Sequence, residues 1–574
     1  MNDTTPADAR SRASHPIPDA RGINLYLADA DAAPLFAHYL PAPLFAHLAP
    51  RFAGLGALAG ARLDELADLA DRHPPTLSVR TRAGIDESRV LKHPAYVEME
   101  RLAFGEYGLA ALSHRGGVLG WPEPMPAVAK YALTYLFVQA EFGLCCPVSM
   151  TDSLTRTLRR FGAPALVERF LPRLLSQDLD ELLQGAMFMT EQAAGSDVAG
   201  TETTAREQAD GSFSLSGDKW FCSNPDAGLA MVLARSEGLD APAGAAASPS
   251  PAAHEANAGL RGVSLFLLPR VLADGSPNRY RILRLKDKLG TRSMASGEIR
   301  LEGAQAWLVG ERGKGFRHMA DMVNNSRLSN GVRAAGLMRR ALTEARFVAH
   351  ERRAFGRRLV DMPLMQRQLR KMTVATEQAR TMVFQTARAL QAADAAGQRG
   401  AEYALARIMT PLIKFRACRD ARKVTGDAME VRGGCGYIEE WSDARRLRDA
   451  HLGSIWEGTS NIVALDVIRA IRREASLPAL QALVGRLLAD GAPAPAALAA
   501  LQADRLDATW ALARKAADGS DDAIARQAAS ALYHVVTMAG LRHEGGIDGL
   551  SHRNALADDV LRHRLAARDP LAID

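Results

Sequence analysis

Gly453-Ser-Ile-Trp-Glu-Gly-Thr-Ser-Asn-Ile462 is the stretch from which the rest of the chain is best read. At its centre one carboxylate, Glu457, stands between the large aromatic Trp456 and Gly458, in a run otherwise apolar or small and polar. A lone glutamate in a loop is ordinarily a solvated surface group. A carboxylate held in apolar company is instead a candidate general base. Which applies depends on what distant segments bring to it.

Outward from this stretch the periodicity is helical on both sides. Met365, Leu369, Met372, Ala379, Val383 and Leu390 follow a spacing of three or four, the buried face of a long bundle helix. Pro411 should kink or start the next helix. A further helical block spans 476–574, opened by the Pro493/Pro495 break. Upstream, the period changes near residue 186. Asp210-Gly211 reads as a hairpin turn, followed by alternation at Phe213, Leu215 and Gly217, with further strands expected at 230–234, 263–268, 280–285 and 298–301. This β domain, 186–306, holds a segment at 237–260 rich in Ala, Pro and Ser, which reads as a flexible insertion. Residues 21–185 read as helical, with Leu154, Leu158, Phe161, Leu166, Phe170 and Leu174 at helical spacing. Residues 1–20 are polar and read as a flexible tail. Segregated blocks argue against a doubly wound βαβ sheet. The expected fold is mainly α with a central β domain: an N-terminal helical domain (21–185), the β domain (186–306), a helical bundle (307–475) and an extra C-terminal helical domain (476–574).

Composition bounds the function. With 574 residues, several domains are expected. A net charge of +6 permits nucleic-acid contact without demanding it. Cys145, Cys146, Cys222, Cys418 and Cys435 show neither CxxC nor metal spacing, so no metal is expected and the thiols read as those of a cytoplasmic protein. The N terminus lacks a signal-peptide pattern, and no apolar run approaches the roughly 18 residues that span a bilayer, so no membrane partner is expected.

Four other stretches carry chemistry. Met189-Thr-Glu-Gln-Ala-Ala-Gly-Ser-Asp-Val198, where helix gives way to strand, offers the hydroxyls of Thr190 and Ser196 and an approachable backbone at Gly195, a turn suited to a ring edge or a phosphate. In Lys219-Trp-Phe-Cys-Ser-Asn224, Phe221 and Ser223 share one strand face, on either side of Cys222. Arg352-Arg-Ala-Phe-Gly-Arg-Arg358 gathers four arginines at a helix end, fork-shaped donors suited to a diphosphate. Glu430-Val-Arg-Gly-Gly-Cys-Gly-Tyr437 is a glycine-rich turn that is not GxGxxG; Gly433 and Gly434 either let a second backbone come near a cofactor or simply cap a helix. Each has a plain alternative: a polar connection, a core strand, a solvated basic face, a C-cap.

In this order the stretches resemble the acyl-CoA dehydrogenase family, over about residues 90–475. The carriers are Thr-Glu-x-x-x-Gly-Ser-Asp at 190–197, Arg-x-x-Phe-Gly at 352–356, Glu-x-x-Gly-Gly-x-Gly-aromatic at 430–437 and Glu-Gly-Thr at 457–459. Pro16-Ile-Pro18, Asn24-Leu-Tyr-Leu27, His93-Pro-Ala95, Leu285-Lys-Asp-Lys-Leu-Gly290, Ser454-Ile-Trp-Glu-Gly458 and the extra C-terminal block resemble its AidB-like branch of adaptive alkylation-response flavoproteins.

The resemblance implies bound FAD and a homotetramer. It implies Met189 and Thr190 at the isoalloxazine edge, Gly195 and Ser196 near the diphosphate, and Phe221 and Ser223 on the flavin's other side, with Cys222 between them also among the cofactor-binding residues. Arg352, Phe355, Glu430, Gly433 and Gly434 would reach a neighbouring subunit's FAD, while Thr459 and Asn461 would hold adenosine or diphosphate. Phe221 departs from the usual tryptophan and Ala354 from a frequent hydroxyl residue. The implied reaction is α,β-dehydrogenation of an acyl-CoA thioester with Glu457 as base and an electron-transfer flavoprotein as electron acceptor. Trp456 should shorten the acyl slot toward short or branched groups. Arg469, placed with it in the substrate pocket, could pair with Glu457 and weaken the base. The alternative is a flavoprotein that binds duplex DNA and protects it against alkylation. Against it, residues 470–574 carry twelve lysines and arginines and thirteen acids, with no basic bias in bulk.

Overall fold

The computed structural model describes residues 17–238, 259–567 and 571. The expected tail up to residue 16 and most of the expected insertion, 239–258, lie outside these residues.

The N-terminal part packs α1 (Ala32–Tyr39), α2 (Ala42–Gly60), α3 (Arg62–Arg72), α4 (Pro94–Glu100), α5 (Ala127–Phe137), α6 (Cys145–Phe161) and α7 (Pro164–Leu174). It is not helical throughout, as the periodicity suggested. Thr76–Arg80 (β1) and Asp86–Leu91 (β2) form an antiparallel hairpin with Thr76 opposite Leu91. Leu77 and Val79 alternate with polar residues there, which suits a ribbon with only one partner face. The hairpin leans on the β domain, where the Ser88 hydroxyl accepts from the Ile282 amide at 3.2 Å.

The central domain comprises β3 (Gly185–Phe188), β4 (Thr204–Glu207), β5 (Phe213–Ser223), β6 (Leu229–Ser236), β7 (Val263–Pro269), β8 (Tyr280–Leu285) and β9 (Ser296–Leu308). Pairings run β6–β4–β5–β9–β7 and return from β7 to β6, so the sheet closes on itself; β3 and β8 attach outside the ring to β6 and β9. Phe188, Phe213, Leu215, Val232 and Phe266 fill the interior. The expected strands are present, and β9 begins two residues earlier and ends seven later than the alternation suggested.

The bundle is built on α8 (Gly315–Glu351), α9 (Pro363–Ala395) and α10 (Gly400–Arg432), followed by α11 (Ser442–Gly453) and α12 (Ser460–Glu474). Pro411 neither starts nor ends a helix. It lies buried inside α10, where the packed surroundings offset the lost backbone bond. The C-terminal block, α13 (Ser476–Asp490), α14 (Ala496–Asp518), α15 (Ala525–Glu544) and α16 (Arg553–Val560), begins directly after Ala475, so Pro493 and Pro495 separate its first two helices rather than opening it. A buried ion pair ties it to the bundle, Arg553 to Glu377 on α9 at 2.6 Å, and Arg553 also meets Glu544 on α15 within the block at 2.7 Å.

Candidate active site

Glu457 occupies the loop between α11 and α12 with φ +54°, and Gly458 follows at φ +104°. A left-handed glutamate costs on the order of 1 kcal/mol or more and needs the surroundings to impose it. Lys414 on α10 does so. Its buried ammonium donates to the carbonyls of Gly453 (2.7 Å), Trp456 (2.8 Å) and Gly458 (3.2 Å). Burial pushes its pKa down, against the pull of Cys418 and Glu457. Arg327 on α8, paired with Asp466 at 2.6 Å, donates from Nε to the Glu457 carbonyl at 3.1 Å.

The Glu457 carboxylate is half-buried and faces α8. One oxygen accepts from the Ser326 hydroxyl, the other from the Asn330 side-chain amide. Its own backbone N–H meets no acceptor among the described residues. Arg469 does not join this group: its Nη1 lies 3.2 Å from Asp466, and half its side chain is in solvent. The expected Glu457–Arg469 pair is therefore corrected to a pair between Arg469 and Asp466. Nine residues into α12 the chain has climbed about 14 Å from its start, and Asp466, three residues back, is the nearer partner.

Ser326, Asn330 and Arg333 are spaced i, i+4, i+7 and share one face of α8. Arg333 is wholly buried. Its guanidinium carbon lies 4.8 Å from the Trp456 ring centroid and 5.4 Å from that of Phe142, and the two rings are near-parallel at 6.1 Å. The N-terminal end of α6 completes this side. Burial pushes the Cys146 thiol up, opposed by the Arg333 charge and by a hydrogen bond with Ser223. The end of β5, the start of α6 and the Glu457 loop thus converge.

On the β-domain side Glu191 anchors the 189–198 turn. It accepts from the amides of Glu202 (2.6 Å) and Thr203 (3.2 Å) and from the buried Lys219 ammonium (2.5 Å). Burial opposes its charge, but the Lys219 ammonium and the hydrogen bonds from Lys219, Thr203 and Glu202 together hold the Glu191 pKa below the ordinary value. The Thr190 carbonyl accepts from the Trp220 amide at 2.9 Å, which sets Met189 and Thr190 beside the end of β5. There Phe221 is 59% exposed and Ser223 half-buried, both facing outward. Cys222 points the other way, into the barrel core, so its side chain takes no part, contrary to its inclusion among cofactor-binding residues. Strand alternation dictates this. Ser196 is exposed, and a Cβ added at Gly195 would meet nothing within 4 Å. Thr459 and Asn461, at the start of α12, are exposed.

The remaining expected residues form a second group. α8 ends at Glu351, and a tight hairpin, Arg353–Ala354 (β10) with Arg357–Arg358 (β11), puts Phe355 at its tip, 94% exposed. Arg352 donates to the Arg432 carbonyl at 2.9 Å, beside Gly433, which caps α10 at φ +78°. Glu430 and Gly434 are exposed next to it. Eighteen residues of α10, about 27 Å, separate Arg432 from Lys414. One chain therefore does not bring this group to its own Glu457.

Sequence reasoning missed Ser326, Asn330, Arg333 and Lys414. The signal was a row of polar residues on a face that a bundle helix would otherwise make apolar. A cavity of about 420 Å³ bordered by His114, Lys130, Asp152 and Arg156 lies apart from all of these; Lys130 and Asp152 are paired there at 2.9 Å.

Three family descriptions match the chain in succession: the adaptive response protein AidB N-terminal domain over 17–181, the acyl-CoA dehydrogenase middle domain over 186–304, and the acyl-CoA dehydrogenase C-terminal domain over 313–472. The chain is 35% identical over 425 residues to the putative acyl-CoA dehydrogenase AidB of Escherichia coli (strain K12), covering 72% of each. Its fold matches Caenorhabditis elegans ACDH-11, solved in complex with C11-CoA, with a TM-score of 0.84 and 26% identity over 99% of this chain and 95% of that one. It also matches the fold of an acyl-CoA dehydrogenase from Bacillus anthracis complexed with FAD, with a TM-score of 0.65 and 21% identity over 82% and 81% of the two chains. Among the described residues no helix is long and apolar enough to cross a membrane.

Proposed function

This chain belongs to the acyl-CoA dehydrogenase family of FAD-dependent oxidoreductases, and on that premise we propose that it dehydrogenates short or branched acyl-CoA thioesters, slowly, with Glu457 as the base. The residues present fit FAD. Phe221 offers an exposed flat ring beside Thr190, and the Gly195 backbone is open to close approach. Met189, Thr190 and Ser223 would border the ring system, Ser196 the diphosphate, and Thr459 and Asn461 the adenosine end. Bound FAD supplies the acceptor for the hydride.

The observation that carries the reading is the setting of Glu457: its carboxylate is fixed by Ser326 and Asn330 while its own amide stays unpaired. The carboxylate takes the α proton. The free amide is the donor we assign to the thioester carbonyl oxygen, where negative charge gathers as that proton leaves. Accepting the proton weakens both bonds from α8, which slows the transfer. The stacked Trp456, Arg333 and Phe142 fill space beside the base and limit acyl length. The second group, Arg352, Phe355, Glu430, Gly433 and Gly434, would reach FAD held by another chain, hence a homotetramer; an electron-transfer flavoprotein is the assigned acceptor.

The test is anaerobic flavin bleaching of FAD-loaded protein by isovaleryl-CoA. A positioned general base contributes about 10²- to 10⁴-fold, so Glu457→Gln should slow bleaching by at least about 100-fold with FAD retained. No bleaching in the parent protein, or equal rates in both, overturns the reading.

One observation favours duplex DNA binding as a second reading. Arg419 on α10 is held below the usual arginine range first by burial, then by Arg526, Arg416 and Arg422 around it. Such a like-charged cluster suits a polyanion. Binding through several phosphates would weaken steeply with added salt; a flat profile removes it.

A further inference from the structure

Arg333 is a buried cation with donors to spare. Only its Nε finds a partner, the Ser329 carbonyl at 3.4 Å, while both Nη atoms are buried without an acceptor and no ion pair forms among the described residues. Lys414 and Arg327, the other buried cations beside Glu457, differ: Lys414 matches its three protons to three loop carbonyls, and Arg327 is paired with Asp466. A desolvated guanidinium left unpaired is costly, and bonds to Trp456 and Phe142 rings answer its charge without answering its N–H groups. The residue lies one turn beyond Asn330 on the face of α8 that grips Glu457, and it covers the indole adjoining the base. Its unpaired donors therefore lie beside the aromatic ring that adjoins the base.

We propose that Arg333 recognises a terminal carboxylate, so that the preferred substrates are short acyl-CoA thioesters carrying an anionic group at the far end of the acyl chain. The planar fork of a guanidinium matches a carboxylate with two parallel bonds, which a purely aliphatic end cannot offer. This specificity rests on the acyl-CoA dehydrogenase reading.

Binding is measured by calorimetry on FAD-loaded Glu457→Gln protein, in which the base is gone and turnover does not interfere. Glutaryl-CoA is compared with valeryl-CoA, equal in length and different at the end. Glutaryl-CoA should bind about tenfold tighter or better, as expected of a hydrogen-bonded charge pair. Adding Arg333→Met should bring the ratio to about one; Arg333→Lys, which keeps the charge and loses the fork, should give an intermediate ratio and serves if the methionine variant does not load FAD. Equal binding of the two thioesters with Arg333 intact, or a preference that survives its replacement, overturns the proposal and leaves the dehydrogenase reading standing. Failure of either thioester to bind, with no bleaching by either in the parent protein, overturns both.

Discussion

The side-chain amide of Asn330 donates to one oxygen of Glu457 across 127 residues of sequence, joining a long bundle helix to the loop that carries the carboxylate. This bond, with its twin from Ser326, holds the ionised form and must weaken when a proton arrives. Asn330→Ala should therefore speed anaerobic bleaching by isovaleryl-CoA, by about three- to tenfold, because Ser326 and the Lys414-anchored loop still aim the carboxylate. Stopped-flow rates decide it: a fall would mean that the amide aims the base more than it restrains it.

Arg469 and Asp466 should separate cleanly. Arg469→Ala removes an exposed partner and should change turnover by less than about twofold. Asp466→Asn strips Arg327 and Arg407 of their buried carboxylate, itself held down to about 2 by those arginines against its burial. Breaking such pairs costs about 3–5 kcal/mol. Urea unfolding should show that loss, and activity should fall with it, since Arg327 also holds the Glu457 carbonyl.

Asp449 gives a pH signature. Burial, then the like charge of Asp71, raises its pKa to about 7, against the Thr291 amide that donates to it at 2.6 Å. The unfolded carboxyl titrates near 3.8. Between about pH 4 and 7 the folded protein therefore binds a proton that the unfolded chain has lost, and this group's contribution falls as pH rises. Asp449→Asn removes that dependence while keeping the acceptor oxygen. The variant's stability relative to the parent should climb by on the order of 3 kcal/mol across that window, read from melting temperatures in matched buffers; a constant difference would place the titration elsewhere.

Arg352 tests the assembly. It lies far along the bundle from its own chain's Glu457, yet Arg352→Ala should lower the flavin-to-protein ratio by several-fold, as expected if it grips FAD in another subunit. Absorbance ratios after gel filtration measure this. Full flavin content in a protein that sediments as a monomer would refute the shared site.

The blocks of fold were legible because period changes with burial pattern: 3–4 spacing on bundle helices, alternation in β5 to β9. The hairpin at 76–91 was not, being short and flanked by strong helices. Pro411 does not start a helix because its local cost is outweighed by contacts from distant segments. At the candidate site, motif spacing marks Thr190, Phe221 and Glu457 in the sequence itself. Ser326, Asn330, Arg333 and Lys414 could not: their roles exist only once α8 and α10 cross the loop. Arg469 failed for the converse reason, since proximity in sequence said nothing about which way a helical side chain points.

The positive φ of Glu457 has a consequence for descent. Glycine would relax that backbone by about 1 kcal/mol, but it would also leave the Ser326 hydroxyl and the Asn330 amide without their shared acceptor. A lineage in which the proposed base is no longer used should therefore accept asparagine at 457 more readily than glycine, since asparagine tolerates a left-handed backbone and keeps an acceptor oxygen for α8.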